Sequence, residues 1–182
     1  MLDLKSINKS WTIFLDRDGV INHEKYMDYV YSYDEFLFYE AVPESIKILS
    51  EIVGRIIVTT NQRGVGKGYM TEDALKTIHS GMIKDVKAAG GRIDRIYYCT
   101  AVNNDHPNRK PNPGMALQAR RDFPGIDFRR SIMVGNNLSD MHFGKSAGMF
   151  TVFIKTTHPN QEFPHLDIDL AFDSLIEFAR AL

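Results

Sequence analysis

Five short apolar runs alternate along the chain with amphipathic stretches. Residues 11–15 (WTIFL), 56–59, 93–99, 131–134 and 150–154 are brief and rich in β-branched or aromatic side chains, the pattern of buried strands. Between them the apolar spacing changes to that of helices. Pro43 opens one helix through Ile46, Leu49 and Ile52. Thr71 is placed to cap a second, which runs toward Ala89 and stops at Gly90-Gly91. Further helices are expected over 113–121, 138–147 and 174–182. Residues 19–40, rich in Tyr, Asp and Glu, read as a long loop holding at most a short hairpin, and residues 100–112 as a polar loop with two prolines.

Strand–helix alternation of this kind predicts an α/β fold: three Rossmann-like layers with a central parallel sheet. The intervals from Asp16 to Thr60 and from Thr60 to Lys110 are already filled by predicted elements, so no large cap domain is expected. The whole chain, 1–182, is expected to be a single domain. In such sheets ligands bind beyond the carboxyl ends of the strands. Polar clusters follow the first four predicted strands, so they should meet on one rim.

Each cluster has a chemical reading and a plainer one. Asp16-Arg17-Asp18-Gly19 offers two carboxylates, one able to attack phosphorus and one able to move a proton; it could equally be a pair of turn-capping residues. Thr59 to Gly68 offers hydroxyls and a Gly-rich turn whose N–H groups can cradle an anion, or only a pliant connection. It is no Walker A loop, because Tyr69-Met70 follows Gly68. Arg109-Lys110-Pro111-Asn112-Pro113 offers cations for a phosphoryl group, or a solvated basic loop. Val134 to Asp140 offers oxygen ligands to a metal, or a helix cap made by Asn136 or Asn137. Taken together the clusters supply a nucleophile, an acid/base, a hydroxyl, a cation and a metal edge, the complement of a phosphoryl-transfer site.

Composition narrows the setting. Over 182 residues the net charge is -1, so nothing across the chain favours nucleic acid or an anionic membrane. No run approaches the roughly 20 apolar residues of a membrane span. The first residues lack a signal-peptide pattern, and the lone Cys99 permits no internal disulfide. A cytoplasmic protein, monomeric by default, is expected.

The strings FLDRDGVIN, VTTNQRGVGKGYM, RKPNPGM and MVGNNLSDM, which span almost the whole chain, resemble the haloacid dehalogenase (HAD) superfamily of phosphatases. Their longer forms are most similar to its D-glycero-D-manno-heptose bisphosphate phosphatase and histidinol-phosphatase branch. The resemblance implies hydrolysis of a small phosphorylated metabolite, with Asp16 as nucleophile and Asp18 as general acid/base. It implies that Thr60 and Lys110 orient and neutralise the phosphoryl group. Substrate contacts would come from Asn22, Lys25, Asn61, Gln62, Arg63, Arg109 and Asn137. Mg2+ would sit on Asp16, Asp18, Asn136 and Asp140.

Two departures stand out against the family pattern. Asn136 occupies a place where members usually carry Asp, which weakens the metal edge and leaves a catalytically impaired phosphosugar-binding domain as a rival reading. The loop after the third strand has only Cys99 and His106 where the heptose branch often carries three Cys and one His, so no zinc is expected. Within the branch, a phosphosugar such as heptose 1,7-bisphosphate is the leading substrate and histidinol phosphate the alternative.

Overall fold

The computed structural model describes residues 2–182. Strands β1 (Thr12–Leu15), β2 (Arg55–Asn61), β3 (Arg95–Cys99), β4 (Ser131–Gly135), β5 (Phe150–Ile154) and β6 (Leu170–Phe172) form one sheet in the order β3-β2-β1-β4-β5-β6. Every neighbouring pair is parallel.

Side-chain alternation divides the core between the two faces of the sheet. Ile13, Leu15, Ile56, Val58, Ile132 and Val134 face one way, into a core that also holds residues of α1 (Val42–Ile52), α3 (Glu72–Ala88), which follows the single turn α2 (Arg63–Gly66), and α6 (Leu175–Ala181). Phe14, Ile57 and Met133 face the other way, against Met115, Ala116 and Ala119 of α4 (Gly114–Asp122) and Phe143 of α5 (Leu138–Ala147). The helices thus form the two outer layers, as the alternating pattern predicts. Thr71 does cap α3, its hydroxyl accepting the Ala74 N–H at 3.1 Å.

Three local expectations change. β3 begins at Arg95 rather than at residue 93 because Asp94 closes that end. Its N–H donates to the Ile56 carbonyl at 2.8 Å and its carboxylate accepts from the Ile56 N–H at 2.7 Å. The long loop carries no hairpin; a single antiparallel bridge, Asn22 to Phe38, ties its two ends. A sixth strand, β6, pairs with β5. The segments between β1 and α1 (16–41) and between β3 and α4 (100–113) are loops with at most a turn of 3-10 helix, so no large cap covers the rim. Among the described residues no helix is long and apolar enough to cross a membrane.

Phe143 is fully buried between α5 and the sheet. Phe143→Ala is expected to lower the unfolding free energy by about 3–5 kcal/mol, measured by urea denaturation.

Candidate active site

Leu15 lies level with Val58 of β2 and Val134 of β4. Asp16 therefore leaves β1 between two neighbouring strand ends, where the strand order reverses, and its N–H donates to the Val134 carbonyl at 2.9 Å. Lys110 arrives from the loop after β3. Its ammonium has three donors and spends one on each of three oxygens: Asp16 Oδ1 at 2.8 Å, Asp140 Oδ1 at 2.7 Å and the Thr59 carbonyl at 2.8 Å. Burial works against that charge, but Asp140 and Asp16 outweigh it and raise the lysine pKa. Asp16 is pushed up to about 7, by burial first and by the Asp140 charge second, with Lys110 opposing.

Asp18 is held differently. The Arg17 guanidinium, buried to 1 % exposure, folds back on it with Nη2 at 2.8 and 2.9 Å from its two oxygens and Nε at 3.2 Å from Oδ1. Asn22 Nδ2 donates to Oδ1 at 2.9 Å and Gln62 Nε2 to Oδ2 at 2.8 Å. Burial favours protonation, but Arg17 and these donors outweigh it and hold the carboxyl below its usual range. On its far side Arg17 Nη1 lies 3.3 Å from His79 Nε2 on α3. Arginine only donates, so that imidazole nitrogen accepts. Burial and the Arg17 charge push the His79 pKa down to about 3, which keeps it neutral for this role.

The remaining expected residues divide into those that face the cavity and those that brace it. A cavity of about 160 Å³ is lined by Asp16, Asp18, Glu24, Thr60, Asn61, Lys110, Asn136, Asn137, Ser139 and Asp140. A second of similar size adjoins it through Asp18, Glu24 and Asn61, and includes Lys25, Tyr29 and Gln62. A larger hollow beside Trp11 and Arg130 lies at the opposite rim and contains none of the expected residues.

Two assignments to substrate contact, Asn22 and Gln62, need correcting, and so does that of Asp140 to the metal. Asn22 is wholly buried, and its amide nitrogen is spent on Asp18 and the His23 carbonyl. Gln62, 2 % exposed, bridges Asp18 and the Thr60 hydroxyl, at 2.8 and 2.9 Å. Both brace Asp18. Asn61 faces the cavity but also exchanges two 3.0 Å hydrogen bonds with the Lys110 backbone, which fixes the lysine loop to β2. Asn137 is the N-cap of α5, in a capping box with Asp140. Asp140 is occupied by Lys110 and by the Asn137 N–H, so it steadies the lysine in place of standing free for a metal.

Arg63 and Arg109 stand close enough that Arg63, after burial, is a cause of the lowered Arg109 pKa. Arg63 Nε is buried with no partner, while Nη2 donates to Asn104. Lys25 pairs with Glu35 at 2.8 Å. Of the tyrosines in the long loop, Tyr29 lines the second cavity, whereas the Tyr33 hydroxyl is anchored to Asp85 at 2.6 Å.

Arg17, His79 and Glu24 are the site residues that the sequence reading missed. Strand alternation points Arg17 away from its neighbouring aspartates, but a buried arginine must find a carboxylate, and Asp18 is adjacent. His79 interrupts the apolar stripe Leu75, Ile78, Met82 and Val86, the one local signal that it meets a polar partner.

A family model of HAD-hydrolase-like proteins matches residues 107–177. The D-glycero-alpha-D-manno-heptose-1,7-bisphosphate 7-phosphatase of Photorhabdus laumondii is 35 % identical over 164 residues, covering 85 % of this chain and 88 % of the relative. This chain belongs to the HAD family of phosphatases. Another relative in the family, the D-glycero-beta-D-manno-heptose-1,7-bisphosphate 7-phosphatase of Escherichia coli K12, is 33 % identical, with 93 % and 92 % covered. The D,D-heptose 1,7-bisphosphate phosphatase of B. bronchiseptica, solved in complex with magnesium and phosphate, superposes with a TM-score of 0.84 at 26 % identity over 94 % of this chain and 97 % of that one.

The oxygen-rich cavity also fits the HAD phosphatases' magnesium. Asn136 is 2 % exposed and its Oδ1 has no hydrogen-bond partner. Among the described residues no three His, Cys, Asp or Glu side chains converge as a metal cluster. A hard cation here would therefore draw on amide and backbone oxygens as well as a carboxylate or two, which suits magnesium.

The shifted Asp16 has a measurable consequence. Between its ordinary 3.8 and about 7 the folded chain keeps a proton that the unfolded chain has released, so its contribution to stability is lost as pH rises through that window. In EDTA, Asp16→Asn is expected to raise the melting temperature at about pH 8, by roughly 2–4 °C per kcal/mol relieved, and to give little or no gain near pH 4.

Proposed function

We propose that this phosphatase hydrolyses a phosphosugar, D-glycero-D-manno-heptose 1,7-bisphosphate being the specific substrate, through an aspartyl-phosphate on Asp16. The observation that carries the reading is the buried Asp16–Lys110–Asp140 constellation, which opens with Thr60 onto the same small cavity. The substrates named for the relatives supply the sugar.

Asp16 attacks phosphorus and the leaving oxygen departs with a proton from Asp18. Asp18 then takes a proton from the water that cleaves the acyl-phosphate. At rest Arg17 keeps Asp18 ionised, which is the form the second step needs. For the first step an arriving phosphate dianion beside Asp18 raises its proton affinity. Lys110 and the Thr60 hydroxyl hold the transferring oxygens, and Asp140 fixes the lysine. Bound magnesium would supply charge neutralisation between carboxylate and phosphate, held by Asp16, Asp18 and Asn136.

Arg63 and Arg109, two neighbouring cations, one with an unsatisfied buried donor, suit a second anionic group. This favours a bisphosphate over histidinol phosphate, whose remaining end is cationic. The same reading takes the chain as one domain, monomeric and without a structural zinc: Cys99 Sγ and His106 Nδ1 meet at 3.6 Å as an isolated pair.

The test is phosphate release from both anomers of the heptose bisphosphate, from monophosphorylated sugars and from histidinol phosphate, with and without Mg2+. The bisphosphate should be turned over fastest and only with the metal, and Asp16→Asn should reduce the rate by about 10³-fold or more. Faster release from histidinol phosphate, or release that survives Asp16→Asn, contradicts the proposal.

A further inference from the structure

The pairing of charges in the cavity leaves one carboxylate over. Asp16 and Asp140 share Lys110, and Asp18 has Arg17. Glu24 lines the same cavity and makes no ion pair among the described residues. Its chain neighbour Lys25 is engaged by Glu35 instead. When all four carboxylates are ionised they exceed the two cations by two negative charges, the charge of one divalent ion.

The second observation is Asn136. Thr157 Oγ1 takes its amide nitrogen at 2.7 Å, and His158 Nδ1 lies 3.0 Å from its backbone carbonyl, so the β5 loop holds both ends of the residue. Gly19 presses on the amide so closely that an added Cβ would lie 2.0 Å from Nδ2. Pinned in this way, the buried Oδ1 is left without a donor. Glu24 hydrogen-bonds with this amide and lies within electrostatic reach of His158, Asp18 and Asp140. A carboxylate in no salt bridge and a neighbouring amide oxygen without a donor, on two residues that line one cavity, offer hard oxygen ligands.

We infer that Glu24 adds a negative charge to the Asp16, Asp18 and Asn136 edge that would hold the divalent cation, and so replaces the charge that the neutral Asn136 lacks. The inference rests on the magnesium-dependent reading above and adds to it a residue from the long loop. It assigns Asn136 a working role: the amide gives an oxygen, and the missing charge comes from the carboxylate beside it.

Direct Mn2+ binding, followed by electron paramagnetic resonance on the full chain without substrate, tests this apart from turnover. Glu24→Gln is expected to weaken Mn2+ binding by about 10–100-fold. In an Asn136→Asp background, which restores a charge beside the site, the same substitution should cost much less. Glu24→Asp, which keeps the charge with a shorter reach, should fall between wild type and Glu24→Gln. Melting curves in EDTA establish that each variant is folded. Unchanged affinity in Glu24→Gln overturns the inference. So does an equal loss in both backgrounds, because a diffuse field effect would simply add. Failure of the wild-type chain to bind Mn2+ at all would instead sink the metal-dependent reading on which the inference rests.

Discussion

The Lys110 ammonium is the interaction on which the site depends. It joins the residue after β1, the backbone of β2 and the first turn of α5 through three hydrogen bonds of 2.7–2.8 Å. Without it, two buried carboxylates would face each other uncompensated, and breaking a buried pair of this kind costs about 3–5 kcal/mol. The lysine is itself delivered by a loop that Asn61 clamps to β2 with a reciprocal amide pair. Strand order, loop geometry and charge therefore agree at one atom.

A second buried cation repeats the principle with the opposite outcome. Lys110 only partly offsets burial at Asp16, whose carboxyl stays raised to about 7. Arg17 over-compensates at Asp18, with help from Asn22 and Gln62. Two aspartates two residues apart are thus driven apart in proton affinity, which is how a site gives similar side chains distinct tasks. His79 completes this half by accepting from the outer face of Arg17, which links α3 to the chemistry through a single side chain.

Much of this was legible in the sequence. Five strands and their helices could be read because each has a run of apolar residues of the right length and a recognisable cap or breaker, such as Thr71 or Gly90-Gly91. β6 could not: it is three half-buried residues whose identity as a strand comes from pairing with β5. Asp16, Thr60, Lys110, Asn136 and Asp140 were legible as a set because each belongs to a polar cluster near a strand end. What each one touches was not. Asn22 and Gln62 have the side chains of substrate contacts, yet burial turns them inward onto Asp18. Arg17 was overlooked because strand alternation assigns it to the wrong side, and Glu24 because nothing in a loop of acidic and tyrosine residues marks which carboxylate enters the cavity.

The central claim is that Asp16 carries the phosphoryl group. Turnover of the heptose bisphosphate, quenched rapidly in acid and followed by borohydride reduction and peptide mass spectrometry, tests it most directly. The account predicts conversion of Asp16 alone to homoserine, the phosphoryl group leaving as inorganic phosphate when borohydride reduces the acyl-phosphate. Steady release of phosphate with Asp16 never modified, or with the label on another residue, would contradict it.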